Sequence, residues 1–224
     1  MLDSINYNPI GMAIFFVGLS ALPLLVTTCT SFLKISIVLL LTRNAMGVQQ
    51  IPPNIVIYGI SLATTIFIMA PVINQSTQLI EQEQYKLKNS LDYQDFASVV
   101  SKPLKDFMDR NIDDDILYQL KQLDNNRYSS TLEDEQKKEN DANNNGWLVT
   151  VPAFVISELQ SGFKIGFMIY VPFIIVDLVV SNILLALGMQ MVSPMVFTIP
   201  IKILLFTLVN GWGQLLISLF NSYK

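Results

Sequence analysis

Five ionisable side chains lie inside or beside long apolar stretches of this 224-residue chain: Lys34, Glu158, Lys164, Asp177 and Lys202. Charges in such surroundings can do two kinds of chemistry. They can relay protons or ions, or they can pair and hold helices or subunits together. Asp177 is the sharpest case, near the middle of the apolar run Pro172-Phe-Ile-Ile-Val-Asp-Leu-Val-Val-Ser181. A carboxylate at such a depth costs at least ~2.5 kcal/mol, so it must be paired, protonated or facing water. Lys34 poses the same problem. One Asp with one or two lysines is too few groups for a proton pump, and a structural ion pair is the favoured reading. Lys164 and Lys202 lie near segment ends, where a long aliphatic stem lets the ammonium snorkel to the interface.

Other chemistries are narrowed by what the chain lacks. It has no histidine and a single cysteine, Cys29 in an apolar run. An internal disulfide is ruled out, and transition-metal or histidine-based catalytic sites are close to excluded. No catalytic role and no cofactor are expected. The link Gly188-Met-Gln-Met-Val-Ser-Pro194-Met195 is the remaining anomaly. Methionine is unbranched and pliable, so its side chain can close a gap and reopen around an irregular shape. On the residues alone, these methionines read as ordinary buried apolar groups at a hairpin tip.

The elements that position these groups follow from where charge is missing. Hydrophobic residues make up 51% of the chain and charged residues only 14%, with a mean hydropathy of +0.45. Soluble domains carry roughly 25% charged residues, so a globule of this size would lack ionic surface. Residues 4–33, 44–80, 178–201 and 203–223 contain no Asp, Glu, Lys or Arg. Residues 81–141 hold 24 of the 32 charges, 9 basic against 15 acidic. That balance argues against a nucleic-acid partner, which would need clustered Lys and Arg.

A helix needs roughly 20 apolar residues to cross a ~30 Å hydrocarbon core. Four stretches qualify or nearly do: Ile10–Leu41, Ile55–Ile73, Phe163–Leu187 and Val196–Phe220. The first is too long for one perpendicular span. With Pro23 and Thr27-Thr28-Cys29-Thr30-Ser31 inside it, a bend or break is expected near there, unless Leu33–Leu41 simply carries the first helix out of the membrane. The N-terminus lacks the early positive charge of a signal peptide and reads as an uncleaved membrane segment. The expected fold is therefore all-α and multi-span. Residues 1–73 form N-terminal membrane helices with a short link at 44–54. Residues 74–147 form a polar, mainly helical insert, and 148–224 a helical hairpin with its methionine-bearing tip at 188–195.

Within the insert, Leu87, Leu91, Tyr93, Phe96, Val100, Leu104 and Phe107 are plausible face residues of helices, and Ser129–Asn145 reads as a flexible loop. The positive-inside bias puts Arg43 in the cytoplasm and the insert in the periplasm.

Several blocks of this sequence closely resemble the R-subunit/FliP family of bacterial type III secretion export gates. Phe32-Leu-Lys-Ile-Ser-Ile-Val-Leu-Leu-Leu-Thr-Arg-Asn-Ala-Met-Gly-Val-Gln-Gln-Ile-Pro-Pro-Asn54 looks like the family's K-x-S-I-V-x-x-x-x-R-N-A-x-G-x-Q-Q-x-P block. Ser157-Glu-Leu-Gln-Ser-Gly-Phe-Lys-Ile-Gly-Phe167, Pro172–Ser181 running into Leu187–Pro194, and Pro200–Phe206 with Gly211-Trp212 match in the family's order. The injectisome branch is favoured over the flagellar one by the short chain and uncleaved-looking N-terminus.

The resemblance implies a subunit of a helical, pore-enclosing homopentamer, joined by the T and S export-gate subunits (SctT, SctS), the U switch subunit and the needle-complex base. Unfolded secreted proteins would pass through it across the bacterial inner membrane, with much of each subunit at the periplasmic level. The family's methionine loop falls on Met189, Gln190 and Met191, where five copies would ring the pore with a pliable seal. Gln190 interrupts the usual run of methionines, so the seal is wetter or Gln190 points away from the lumen. Asn210 stands where Asp-Gly-Trp is common. A competing reading is a small secondary transporter or ion channel using Asp177 with a lysine. A third is a sensor or scaffold whose insert binds a ligand outside.

Overall fold

A computed structural model of the chain describes residues 9–48, 50–86, 93–129 and 138–223. The described residues form eight helices: α1 Pro9–Cys29, α2 Phe32–Ala45, α3 Asn54–Lys86, α4 Tyr93–Asn111, α5 Asp114–Ser129, α6 Lys138–Ala186, α7 Met195–Leu208 and α8 Gly211–Asn221. No strand occurs among them. Helices α3, over Asn54–Glu81, and α6, over Gly146–Ala186, are long and apolar enough to cross a membrane. The bent pairs α1–α2 and α7–α8 raise the number to four if each counts as one span.

The first apolar stretch breaks at Thr30-Ser31, not at Pro23, with a 70° bend between its two helices. Pro23 sits inside α1. The polar string supplies the cause. Thr27 and Thr28 hydroxyls donate to the Pro23 and Leu24 carbonyls at 2.8 and 2.9 Å, and Thr30 donates to Val26. The Phe32 N–H then donates to the Thr30 hydroxyl. The Thr30 hydroxyl thus takes over a carbonyl and an N–H that the two helix ends would leave unpaired, which permits an elbow in apolar surroundings. The Thr27 and Thr28 bonds add to carbonyls already inside α1.

The last apolar stretch, expected as one segment, also divides. Its two helices meet at 60° around Asn210, which adopts φ 50 and ψ 48. Asparagine tolerates this left-handed conformation better than most residues. Gly211 follows because a Cβ there would lie 2.4 Å from the Phe206 ring. That ring is itself held edge-on by Trp212 at 5.2 Å.

The insert departs from expectation at both ends. Helix α3 runs past Ile73 to Lys86, and α6 begins at Lys138, so the expected loop is helical over 138–145 while 130–137 lie outside the described residues. Leu87 and Leu91 lie outside them too. Phe107 and Met108 of α4 join Cys29, Met69, Val72, Ala153 and Phe154 in one apolar cluster. A second cluster gathers Ile35, Val38 and Leu39 of α2 with Ile57, Leu215 and Leu219. Helix α2 is therefore buried between α3, α6 and α8, while α4 and α5 pack on α6.

The closest packing is between α2 and α6. A Cβ on Gly166 would lie 2.3 Å from Leu41 Cδ1, and one on Gly162 would lie 3.5 Å from the Lys34 Cα. Small residues at i and i+4 let two helix backbones approach, as in membrane helix pairs.

Candidate functional site

The close approach of α2 and α6 sets the first charge centre. Glu158, Gly162 and Gly166 share one face of α6 at four-residue spacing, opposite Lys34, Ile37 and Leu41 of α2. Lys34 Nζ lies 2.9 Å from Glu158 Oε1, with both side chains at most 5% exposed. The Tyr223 hydroxyl donates to Glu158 Oε2 and lies 3.2 Å from the Ser31 carbonyl. The Lys34 ammonium sits 3.8 Å from the centroid of the Tyr223 ring. Burial, with the Glu158 carboxylate beside it, holds the Tyr223 phenol far above its ordinary pKa, so it serves as a neutral donor.

Each charge at this centre therefore has an opposite charge and a further hydrogen-bonding or π partner. That is the condition under which a buried ion pair is tolerated.

The second centre joins α6 to α7. Lys202 Nζ lies 2.6 Å from Asp177 Oδ2 and donates to the Ala45 carbonyl at the end of α2. The pair is uneven, since the Lys202 side chain is 6% exposed and that of Asp177 44%. Lys202 therefore does not snorkel, as its place near a segment end suggested. The packing of α7 on α6 turns it inward, where Asp177 and a carbonyl replace water. Lys164 is exposed on α6 among the exposed Phe163, Phe167 and Met168. The five charges thus form two separate centres and one outlier.

Asp177→Ala would leave the Lys202 ammonium buried with only a carbonyl for company. Because the Asp177 side chain is 44% exposed in the single chain, the expected loss is about 1–3 kcal/mol, below that for a fully buried pair. Thermal unfolding of the detergent-solubilised subunit should show a lower midpoint for Asp177→Ala and a smaller shift for Asp177→Asn. An unchanged midpoint for Asp177→Ala would remove the pair as a stabilising contact.

Arg43 shows how the short link is held. Its Nη1 donates to the Asn54 side chain at 2.6 Å and to the Pro52 carbonyl. It is 8% exposed, and so closes the turn between α2 and α3 from inside.

The methionine tip follows the end of α6. Gly188 takes φ +74, its N–H bonds to the Leu185 carbonyl, and the Met189 N–H reaches back to Leu184. This pair of bonds is the glycine-terminated Schellman cap. It projects the following residues off the helix end. Met191 is 99% exposed and Met189 40%, and Gln190 is exposed as well. The expectation of ordinary buried methionines thus fails in the single chain, because the cap directs them away from its own core.

Sequence reasoning passed over Tyr223, Gly162 and Gly166. The signal for the glycines was present as Glu158-x-x-x-Gly162-x-x-x-Gly166, a helical stripe of one charge and two small residues. Tyr223 carried no sequence signal, since its partners are distant in the chain. Among the described residues no group of His, Cys, Asp and Glu could hold a metal ion.

Comparison with known proteins adds a family to this geometry. Residues 15–219 match the FliP family. The chain is 50% identical over 218 residues to the harpin secretion protein HrcR of Erwinia amylovora, covering 97% of this chain and 98% of that protein. It is 38% identical over 220 residues to the Yop proteins translocation protein R of Yersinia pestis, covering 96% and 97%. Against the surface presentation of antigens protein SpaP of Shigella flexneri it is 36% identical over 204 residues, covering 90% of each.

Proposed function

The chain belongs to the FliP family, and from that premise we propose that it is a core subunit of a type III secretion export gate in the bacterial inner membrane. Five copies, with the T and S subunits, enclose the pore through which unfolded proteins leave the cell. Relatives named for harpin secretion and Yop translocation support the export role and the injectisome branch.

One structural observation carries the assembly. The apolar part of α6 runs 41 residues, Gly146–Ala186; its first half packs one face on α2, α4 and α5, and its most apolar window is almost wholly uncovered in the single chain. At ~1.5 Å per residue it is about 60 Å long, roughly twice a hydrocarbon core. Lipid alone does not cover it. Phe167 and Met168 at 67% exposure and Leu178 and Leu185 at 58% therefore call for neighbouring protein. An assembly standing partly above the bilayer on the periplasmic side gives them that cover, and also hides the elbows at Thr30-Ser31 and Asn210 from lipid.

In this reading the Schellman-capped tip presents Met189 and Met191 to the lumen, where five copies form a pliable seal. Gln190 projects from the same tip and places one donor–acceptor group per copy in that ring. Replacing both methionines with serine is expected to raise small-ion leakage through the assembled complex while its mass stays unchanged. Conductance across a planar bilayer checks this, and equal leakage in variant and parent would remove the seal. Asp177 as a transport residue is the weaker reading, because its neighbour Lys202 is buried and fixed by a second contact to Ala45.

A further inference from the structure

We infer that Ser222–Tyr223, the segment following α8, is a latch that clamps the insert helix α4 onto the α1–α2 elbow and α6. Tyr223 touches each part at once. Its ring stacks on Phe107 of α4 at 5.9 Å and an interplanar angle of 20°. Its face receives the Lys34 ammonium of α2. Its hydroxyl reaches Glu158 of α6 and the Ser31 carbonyl at the elbow.

Tyr223 is thus positioned by α2, α4, α6 and the elbow together, and only a short turn ties it to α8. A residue held by tertiary contacts at the end of a helix is the kind of element that opens locally before the fold does.

Two clefts meet at the latch. One of about 590 Å³ is lined by Phe67, Phe107, Phe220 and Tyr223 with Arg110 beside them. The other, about 490 Å³, is lined by Ser222, Lys34, Ser157 and Asp113, again with Arg110. Consecutive residues of the segment thus wall one cleft each. Withdrawal of the segment would join the clefts, bring water to Lys34 and Glu158, and free Phe107 from the cluster that buries Cys29.

Cys29, the sole cysteine, is 6% exposed in that cluster and so reports on the latch without any engineered label. This inference does not depend on the export-gate reading, because the contacts are all within one chain.

The test is the rate at which a water-soluble maleimide labels Cys29 in the full chain in mild detergent, with hydrogen exchange read helix by helix. Y223A is expected to label more than tenfold faster, because it loses both the hydrogen bond to a charged group, which alone corresponds to about tenfold in a local opening equilibrium, and the ring stacked on Phe107. Exchange should rise in α4 and at the elbow, with α7 unchanged. Y223F keeps the ring and loses only the hydroxyl, so it should fall between parent and Y223A.

Faster exchange in every helix of Y223A would overturn the latch, since it would mark Tyr223 as a general core residue. Parent-like labelling in Y223A would overturn it as well. If Y223A does not accumulate, Y223F decides: faster Cys29 labelling with faster exchange confined to α4 and the elbow supports the latch, and the parent rates reject it.

Discussion

Glu158→Ala is expected to destabilise the subunit by about 3–5 kcal/mol, the usual result of stripping one partner from a buried ion pair. The reason is the 4% exposure of Lys34, which leaves its ammonium with the Tyr223 ring and no anion. Tyr223 fares better, because the Ser31 carbonyl at 3.2 Å can accept its hydroxyl. Lys34 is thus the group that makes the variant costly. Glu158→Gln retains hydrogen bonding without compensating charge and should fall between parent and alanine. Replacing both members, as Lys34→Met with Glu158→Leu, removes the unpaired charge and should recover most of the loss. Chemical unfolding of the parent and the three variants in detergent checks the order. A double variant no better than Glu158→Ala would mean that the pair does more than neutralise itself.

The second large effect belongs to the glycine stripe. Gly166→Val places its Cβ 3.0 Å from Leu41 Cβ, an atom fixed to the backbone that cannot swing aside. Gly162→Val adds branches toward the Lys34 Cα at 3.5 Å. Overpacking of this sort costs about 1–3 kcal/mol per site when neighbours can adjust. Here the same stripe sets the distance from Lys34 to Glu158, so forcing the helices apart also stretches the ion pair. Gly162→Val/Gly166→Val together should abolish accumulation of the folded subunit and secretion with it. Gly166→Ala meets the same Leu41 atoms with its Cβ but adds no further branches, and should be milder. Quantifying the protein in membranes and the secreted cargo checks both. Normal accumulation of the double valine variant would contradict the close packing of α2 on α6.

How much of this was legible in the sequence follows from the range of each interaction. Helical class and the uncovered apolar stretches were legible because they depend on local composition, and the long charge-free runs of residues 4–33 and 44–80 state it directly. The break in the first stretch was legible in kind, but its place was not. Pro23 is the louder signal, yet an unbroken α1 carries it, and the Thr30 hydroxyl decides the elbow at Thr30-Ser31.

The five charges could be picked out, but their pairing could not. Lys34 meets Glu158 and Lys202 meets Asp177 only once α2, α6 and α7 are packed. The same limit explains Lys202, whose position near a segment end suggested water and whose packing gives it Asp177. The sequence shows Asn210 only as an asparagine where Asp-Gly-Trp is common. Its left-handed backbone, which bends α7 from α8, appears only in three dimensions.

The central claim is that α6 and the methionine tip are incomplete in a single chain and become buried in a gate of several copies. Its most direct test is the mass of the protein purified in mild detergent after co-expression with the genes beside its own. The account predicts one stable particle containing five copies of this chain together with the T and S subunits. A stable monomer that recruits no partner, at every concentration tried, would contradict it.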